Sequence, residues 1–387
     1  MTGSFPGYAR PTGRVGVRNH VLVLPLDLVA NSVVRQVKRR VPGVATVELP
    51  FQPDPADPVV WPPVSRTLLG YLTHPNVARA FAVFATDDHG LVAAARAQGC
   101  PVEAVSMAQL GGLARTVEVL ALQAERALGE AAAAPRQPVP VAELVVGLEC
   151  GGSDGFSGLT ANPALGVASD LLVAAGATTI LAETTECIGA EHLLARRATT
   201  PELGERFLRL VHAAEAEAMT LGVDIRGAQP SLGNIAGGLT TIEEKSLGCV
   251  HKGGHAPLTE VVAFAQRPAQ RGLVFMDTPG HDIEQLTGMV AGGAQLVVFT
   301  TGRGTPTGSA IAPVVKVATN GRTFRKMQAN MDLDAGRILT GEASLESMGH
   351  EILEKLLAVA AGEPTRSEVM EESEFALFRG HEGAWPL

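Results

Sequence analysis

The stretch LVVGLECGGSDGFSG, Leu144 to Gly158, decides the fold. Leu144 to Leu148 is an apolar run of strand length. It feeds directly into closely spaced glycines, which allow φ > 0 and expose backbone N–H groups to an anion. In open α/β sheets, sites form where loops leave the carboxyl ends of strands. The stretch therefore predicts a sheet and a place for chemistry at its edge.

Working outward, the same alternation of strand and helix recurs on both sides. Downstream, Ala164 to Ala175 reads as a helix, Thr178 to Ala182 as a strand and Pro201 to Thr220 as a long amphipathic helix. Val261 to Ala265, Leu273 to Met276 and Leu296 to Thr300 read as strands, Ile283 to Val290 and Leu345 to Ala361 as helices. Gln229 to Gly254 is dense in Gly and Thr and lacks a clear period, and Glu371 to Leu387 reads as peripheral. Upstream, strands are predicted at His20 to Leu24, Thr46 to Leu49, Val77 to Ala85 and Val102 to Ser106, with helices between them and a long one at Leu113 to Ala134. The Pro-bearing APRQPVPV, Ala134 to Val141, separates the two halves. The predicted class is α/β: a parallel-sheet, Rossmann-like N-terminal domain over 1–140, then a larger α/β domain over 141–387.

A hydrophobic fraction of 46% with only 4% aromatics suits helix–sheet layers packed through small side chains. A net charge of -9 argues against nucleic acid or an anionic membrane as partner, and no run reaches membrane-span length. Four cysteines without CxxC spacing predict free thiols in a reducing cytoplasm.

Six polar, Gly-rich segments lie beside the apolar runs. In GRVGVRNH, Gly13 to His20, Arg14 and Arg18 can chelate a carboxylate, although a surface turn accounts for them as well. After Leu148, Cys150, Ser153 and Asp154 offer a thiolate, a hydroxyl and a carboxylate to a metal or substrate; a tight turn with a buried Cys is the simpler reading. ETTECIGAEH, Glu183 to His192, sets three carboxylates and a His within ten residues. If Cys187 to Ala198 is helical, Glu183 at the strand end is best placed to reach a pocket; acids that merely stabilise a helix N-terminus through its macrodipole account for the segment as well. In Gly233 to Lys245, Thr240 or Thr241 is a predicted N-cap, completed by Glu243 or Glu244, which leaves Lys245 for a carboxylate or for base chemistry. Arg303, between glycines in Thr300 to Gly308, can clamp an oxyanion, and Met276 to Asp282 is a weaker sixth segment.

Together these segments resemble the altronate/galactarate dehydratase family. The resemblance rests on GYARPTGRVGVRNHVLVLP (Gly7–Pro25), LECGGSDGFSGLTANPALG (Leu148–Gly166), AETTECIGAEHLLARRA (Ala182–Ala198), GNIAGGLTTIEEKSLGCVHKGG (Gly233–Gly254), FMDTPGHD (Phe275–Asp282) and TTGRGTPTGSAIAPVVKV (Thr300–Val317), in order along the chain. It implies a lyase that removes water from a sugar acid to give a 2-keto-3-deoxy acid. It also implies a divalent metal, iron(II), with manganese or magnesium as alternatives. Such chemistry needs a base for the proton α to the carboxylate, a stabilised enediolate and an acid for the leaving group.

Two departures bear on partners. Family members begin with a small His-bearing domain, whereas the family-like region here starts at Gly7, so the resemblance implies that this domain is missing or supplied by a separate small subunit. Cysteines are lacking at Leu49–Pro58 and Phe84–Gly90, where members carry them. Both features are similar to the large subunit of (2R)-sulfolactate sulfo-lyase, which eliminates sulfite, and the altered segments also admit a non-catalytic sugar-acid sensor. Gly152 and Phe156 look dehydratase-like. The expected roles are Cys150, Asp154, Glu183 and His192 for metal, Glu186 and Lys245 for acid–base chemistry, and Arg14, Arg18, Ser153, Asn234, Thr241 and Arg303 for a small hydroxy acid, in a homo-oligomer.

Overall fold

An apolar run such as Val21–Leu24 has no face to offer water, and the computed structural model buries all four side chains completely. The structure describes residues 3–220 and 222–379. β1 (Ser4–Ala9) and β2 (Val15–Gly16) form an antiparallel hairpin. β3 (His20–Pro25), β4 (Ala45–Thr46), β5 (Val77–Phe84) and β6 (Val102–Ser106) build a parallel sheet in the order β4-β3-β5-β6. The Pro-bearing link contains β7 (Gln137–Pro140), which returns to pair with β1. Its prolines are tolerated because β7 is an edge strand.

The second sheet is parallel throughout. Its strands are β8 (Val145–Gly151), β9 (Thr178–Leu181), β10 (Leu258–Val262), β11 (Gly272–Met276), β12 (Leu296–Thr301), β13 (Val314–Ala318) and β14 (Leu333–Asp334), in the order β10-β11-β9-β8-β12-β13-β14. The chain winds outward from β8 in one direction through β9 and later in the other through β12. The loops leaving β8 and β12 therefore diverge, and a crevice opens at the carboxyl ends of these two strands. The α/β class with parallel sheets is as predicted.

Local signals explain the covering helices. Helix Asn31–Arg40 buries Val33, Val34 and Val37 and ends in Lys38, Arg39 and Arg40, which suit its negative C-terminal dipole. Helix Leu345–Ala360 starts at a Ser344–Ser347 capping box and buries Met348, Ile352, Leu356 and Val359 along one stripe. The two sheets meet where helix Trp61–Leu72 packs on helix Asp282–Ala291. Gly70 is the contact point, since a Cβ there would run into the carbonyl oxygen of Ala291. Gly70→Ala should therefore cost about 1–3 kcal/mol, measured by denaturant unfolding. An unchanged midpoint would mean that the helices simply slide apart.

Four expectations are corrected. The predicted strand Thr46–Leu49 is only the two-residue β4, because Leu49 is tied by both its backbone groups to the Asn31 side chain. Cys187–Ala198 is not one helix. A 3-10 turn covers Thr184–Cys187, Gly189 takes φ 93, and a short helix follows at Glu191–Ala195. Gln229–Gly254, which has no clear period, holds the unexpected helix Leu232–Ala236, whereas helix Ile242–His251 starts at the expected N-cap Thr241. The tail is not peripheral over 371–379: the Phe375 ring meets Tyr71 at 5.1 Å, the Phe378 ring meets Phe264 at 5.0 Å, and Glu372 pairs with the buried Lys316. The rest of that predicted segment, 380–387, lies outside the described residues. All four cysteines are free. No described helix is long and apolar enough to cross a membrane.

Candidate active site

Cys150 is the penultimate residue of β8, and Glu183 follows β9 in a left-handed conformation at φ 75. That strained backbone is held from outside. The Glu183 N–H donates to Thr278 Oγ1 at 2.8 Å, and Thr184 Oγ1 donates to Asp277 Oδ1 at 2.7 Å. The sixth predicted segment thus acts as a latch for the third. Thr241 N-caps helix Ile242–His251 by accepting from Glu244 N–H, and Glu244 reaches back to the Thr240 N–H. The far end of that helix delivers Cys249, with Lys252 one turn on.

These elements close on one buried cluster. Cys249 Sγ donates to Glu183 Oε2 at 2.6 Å, and Cys150 N–H donates to Glu183 Oε1 at 3.3 Å. Lys252 Nζ pairs with Glu183 and lies 3.1 Å from Cys150 Sγ and 3.4 Å from Cys249 Sγ. Lys252 and Glu183 are both fully buried. Beside them Lys245 Nζ contacts Glu186 Oε1 at 2.8 Å and Gln229 Oε1 at 3.0 Å. Glu186 Oε2 is buried and has no hydrogen-bond partner. Cys150, Glu183, Glu186 and Cys249 each offer one ligand atom, all within 4.8 Å of one another.

A second carboxyl sits on the other face of β8. Gly147 and Gly151 bracket Glu149 on the strand and pack against Met289 and Asp282 of helix Asp282–Ala291. By alternation Glu149 points at the same helix. Both its oxygens, and both polar atoms of Gln285 on that helix, are buried without partners.

Burial, then Glu183, raises the Glu149 carboxyl well above its ordinary range. Burial also raises Glu186, against the pull of Lys245. The Cys150 thiol is raised by its hydrogen bond with Cys249, then by burial, and the Cys249 thiol by burial. Burial opposes charge on Lys245 and Lys252, yet the surrounding acids and thiols prevail and raise both. Glu149, Glu183, Glu186 and Asp282 set four carboxyls against two ammonium groups, Lys245 and Lys252. Full ionisation would leave two uncompensated negative charges in a buried space, which is costly. Proton uptake relieves this excess, and so would one divalent cation. The orphaned oxygens and the charge excess thus fit a metal at this cluster.

Asp282 gives a pH readout of the same crowding. Burial, then Glu186 and Glu183, lifts its pKa from 3.8 to about 7. Between those values the folded protein keeps a proton that the unfolded chain has lost, so this group makes stability fall as pH rises. In protein stripped of metal by a chelator, Asp282→Asn should flatten the decline in Tm between pH 4 and pH 7. Parallel curves for the two proteins would remove Asp282 from the crowded set.

The other expected site residues divide into four groups. Ser153, Asn234 and Arg303 converge on the crevice. Asn234 Nδ2 donates to Ser153 O at 2.9 Å, Arg303 N–H donates to Gly152 O at 3.0 Å, and the exposed Arg303 guanidinium fills the space above Gly233. Thr241 caps its helix, so its side chain already has a structural task. Asp154 and His192 stand outside the metal-capable cluster. Asp154 accepts from Phe156 N–H, Ser157 Oγ, Thr319 Oγ1 and Asn320 Nδ2, which makes it the knot between the β8 and β13 loops. His192 is exposed on the short helix Glu191–Ala195.

Arg14 and Arg18 lie at the opposite edge of the sheet. Gln295, just before β12, donates its N–H to Val145 O and its side chain to Val15 O. Arg14 is thus beside the amino end of β8, whereas Cys150 is near its carboxyl end, roughly 17 Å away along the strand at ~3.3 Å per residue. Arg18 is held by Glu368 at 2.7 Å and by the carbonyls of Val359 and Glu363.

Sequence reasoning missed Cys249, Lys252, Glu149 and Gln285. Cys249 and Lys252 sit three residues apart, the spacing that places side chains on one helical face. The glycines around them hid that period. The position of Glu149 at the end of an otherwise apolar strand was a signal, because burying a carboxyl there needs a reason.

Loops meeting at the switch point of a doubly wound sheet, around buried acids, thiols and lysines, place the chain among α/β proteins with their site at the strand ends. Comparison with known proteins gives the family. Residues 7–132 match the family model described as D-galactarate dehydratase/Altronate hydrolase, second domain, and residues 141–382 match D-galactarate/Altronate dehydratase, C-terminal. The chain belongs to the galactarate/altronate dehydratase family. It is 36% identical to the (2R)-sulfolactate sulfo-lyase subunit beta of Chromohalobacter salexigens, over 98% of each chain. It is 32% identical to the altronate dehydratase of Bacillus subtilis, over 97% of this chain and 78% of that one. It is 43% identical to the galactarate dehydratase (L-threo-forming) of Escherichia coli, over 68% of this chain and 51% of that protein.

Proposed function

We propose that the chain is the catalytic subunit of a metal-dependent lyase that removes water from a sugar acid of the galactarate or altronate kind. The observation that carries this reading is the buried Cys150–Glu183–Glu186–Cys249 cluster beside the Glu186–Lys245 pair. The mixed sulfur and oxygen donors suit iron(II) better than magnesium, a hard ion that takes oxygen. A cation held there supplies electrostatic stabilisation to charge building on the substrate's carboxylate.

The chain's own groups divide the remaining work. With Cys150, Glu183 and Cys249 as the donors, Glu186 at the edge of the cluster has Oε2 left to take the α-proton, while Oε1 stays paired with Lys245. Lys245, whose charge is stabilised, orients that base and offers a proton toward the departing hydroxyl. Arg303 and the Ser153–Asn234 contact shape the mouth where the rest of the acid binds. Phe156, Leu159, Leu232 and Ile235 expose apolar surface on the same loops, which suits a covering partner subunit. The beta-subunit relative, which aligns over 98% of both chains, supports a two-chain enzyme. The same alignment favours sulfite elimination as a second reading, because α-proton removal is common to both reactions.

The test is turnover of galactarate, altronate and sulfolactate, with and without iron(II) and a small His-bearing partner protein. A 2-keto-3-deoxy acid formed only with iron(II) is the expected result. Release of sulfite with pyruvate would select the second reading. Binding of the acids without product under every condition would sink the lyase and leave a sugar-acid sensor.

A further inference from the structure

Arg14 has no part in the crevice chemistry, yet its surroundings are not those of a solvated arginine. Its Nε donates to Thr12 Oγ1 at 3.2 Å and its Nη2 to Cys100 Sγ at 3.5 Å, while Nη1 is buried with no partner. A cavity of about 140 Å³ opens beside it. Arg14 and Arg267 face this cavity, together with Thr178, Gln295 and the Gly292–Gly293 turn. Gly293, at φ 102, leaves room for Arg267 Nε, which lies 3.2 Å from where a Cβ would stand.

The charge at this place is one-sided. Arg267 is mostly buried, and among the described residues no hydrogen bond or ion pair holds its guanidinium. Burial, then the charge on Arg14, depresses its pKa to about 10. The carboxyl on the cavity wall, Glu143, is taken by Arg271 at 2.7 Å. Two guanidinium forks therefore repel each other across a partly open cavity, and one of them carries an unused buried N–H. Such forks match the paired oxygens of phosphate, sulfate or carboxylate.

We propose that this cavity is a binding site for a small doubly charged oxyanion, separate from the catalytic crevice and at the opposite edge of the same sheet. The bound anion joins the β1–β2 hairpin, which carries Arg14, to the β10–β11 loop, which carries Arg267. It therefore ties the hairpin to the second sheet and stabilises the folded protein by mass action.

The experiment is calorimetric titration and thermal unfolding of the full chain with inorganic phosphate, sulfate and malonate, against chloride at matched ionic strength. One saturable site is expected in the wild type. Arg267→Ala and Arg14→Met should each weaken it by ~10-fold or more, the loss of a charge-assisted fork. Arg267→Lys keeps the charge but not the fork, and should fall between wild type and Arg267→Ala. It also serves as the folded comparison if the alanine variant is unstable. Preference for phosphate would point to a tetrahedral ligand and preference for malonate to a carboxylate pair; either supports the site if Arg267→Ala loses it. A response that chloride reproduces, or that survives in both Arg267 variants unchanged, overturns the proposal. The readout is binding, so it stands apart from the outcome of the turnover test.

Discussion

Lys252→Met, at the end of helix Ile242–His251, should lower the unfolding free energy by about 3–5 kcal/mol. The ammonium has no exposed surface and touches Glu183, Cys150 and Cys249. Removing it strands a carboxyl that water cannot reach, and breaking such a pair from one side costs far more than replacing both partners. Glu183→Gln alone should also destabilise, since it strands the ammonium. The double variant should lose less than the sum of the two, with a coupling of about 0.5–3 kcal/mol. Urea unfolding of the four proteins, each freed of metal, measures this. Additive losses would mean that the pair does not hold the cluster together.

Glu186→Gln should reduce kcat by ~10²–10⁴, the range for removing a positioned acid–base group, while leaving the fold intact. The side chain is 13% exposed and its Oε2 has no partner to lose. Glutamine keeps the volume and an oxygen toward Lys245, whose ammonium is not fully buried, so the loss of stability should be smaller than in Glu183→Gln. Cys249→Ser should differ in kind. Serine replaces a soft donor with a hard one, so bound iron(II) should fall before the rate at saturating metal does. Metal analysis alongside kinetics separates the two roles. Wild-type turnover in Glu186→Gln would take the base away from Glu186, and full iron content in Cys249→Ser would take Cys249 out of the metal set.

Much of the site was legible because the chemistry sits at strand ends, and strand ends are marked by apolar runs stopping at glycines. Glu183, Cys150 and Glu186 were found this way, Lys245 as the cation that a capping box left over, and they do meet. Arg14 and Arg18 show the limit of the method. They flank an apolar strand at its amino side, and in a parallel sheet that order sets them at the end opposite the loops that build the site, however alike the polar-next-to-apolar patterns look. Asp154 and Thr241 show another limit. Their side-chain types suit metal or substrate, but loops and helix starts use the same hydrogen-bonding groups. Only the partners reveal which demand was met first.

The amino-acid order alone determined the α/β class, the parallel sheets and the family, because burial of apolar runs and the backbone freedom of glycine act locally and leave their mark in every segment. The tertiary structure alone decided which polar groups share a space. Lys252 reaches Glu183 from 69 residues away, and Arg267 faces Arg14 from the far side of the chain. Electrostatic interaction in a buried site depends on distance through space and on exclusion of water, and neither is written in the spacing of residues along the chain.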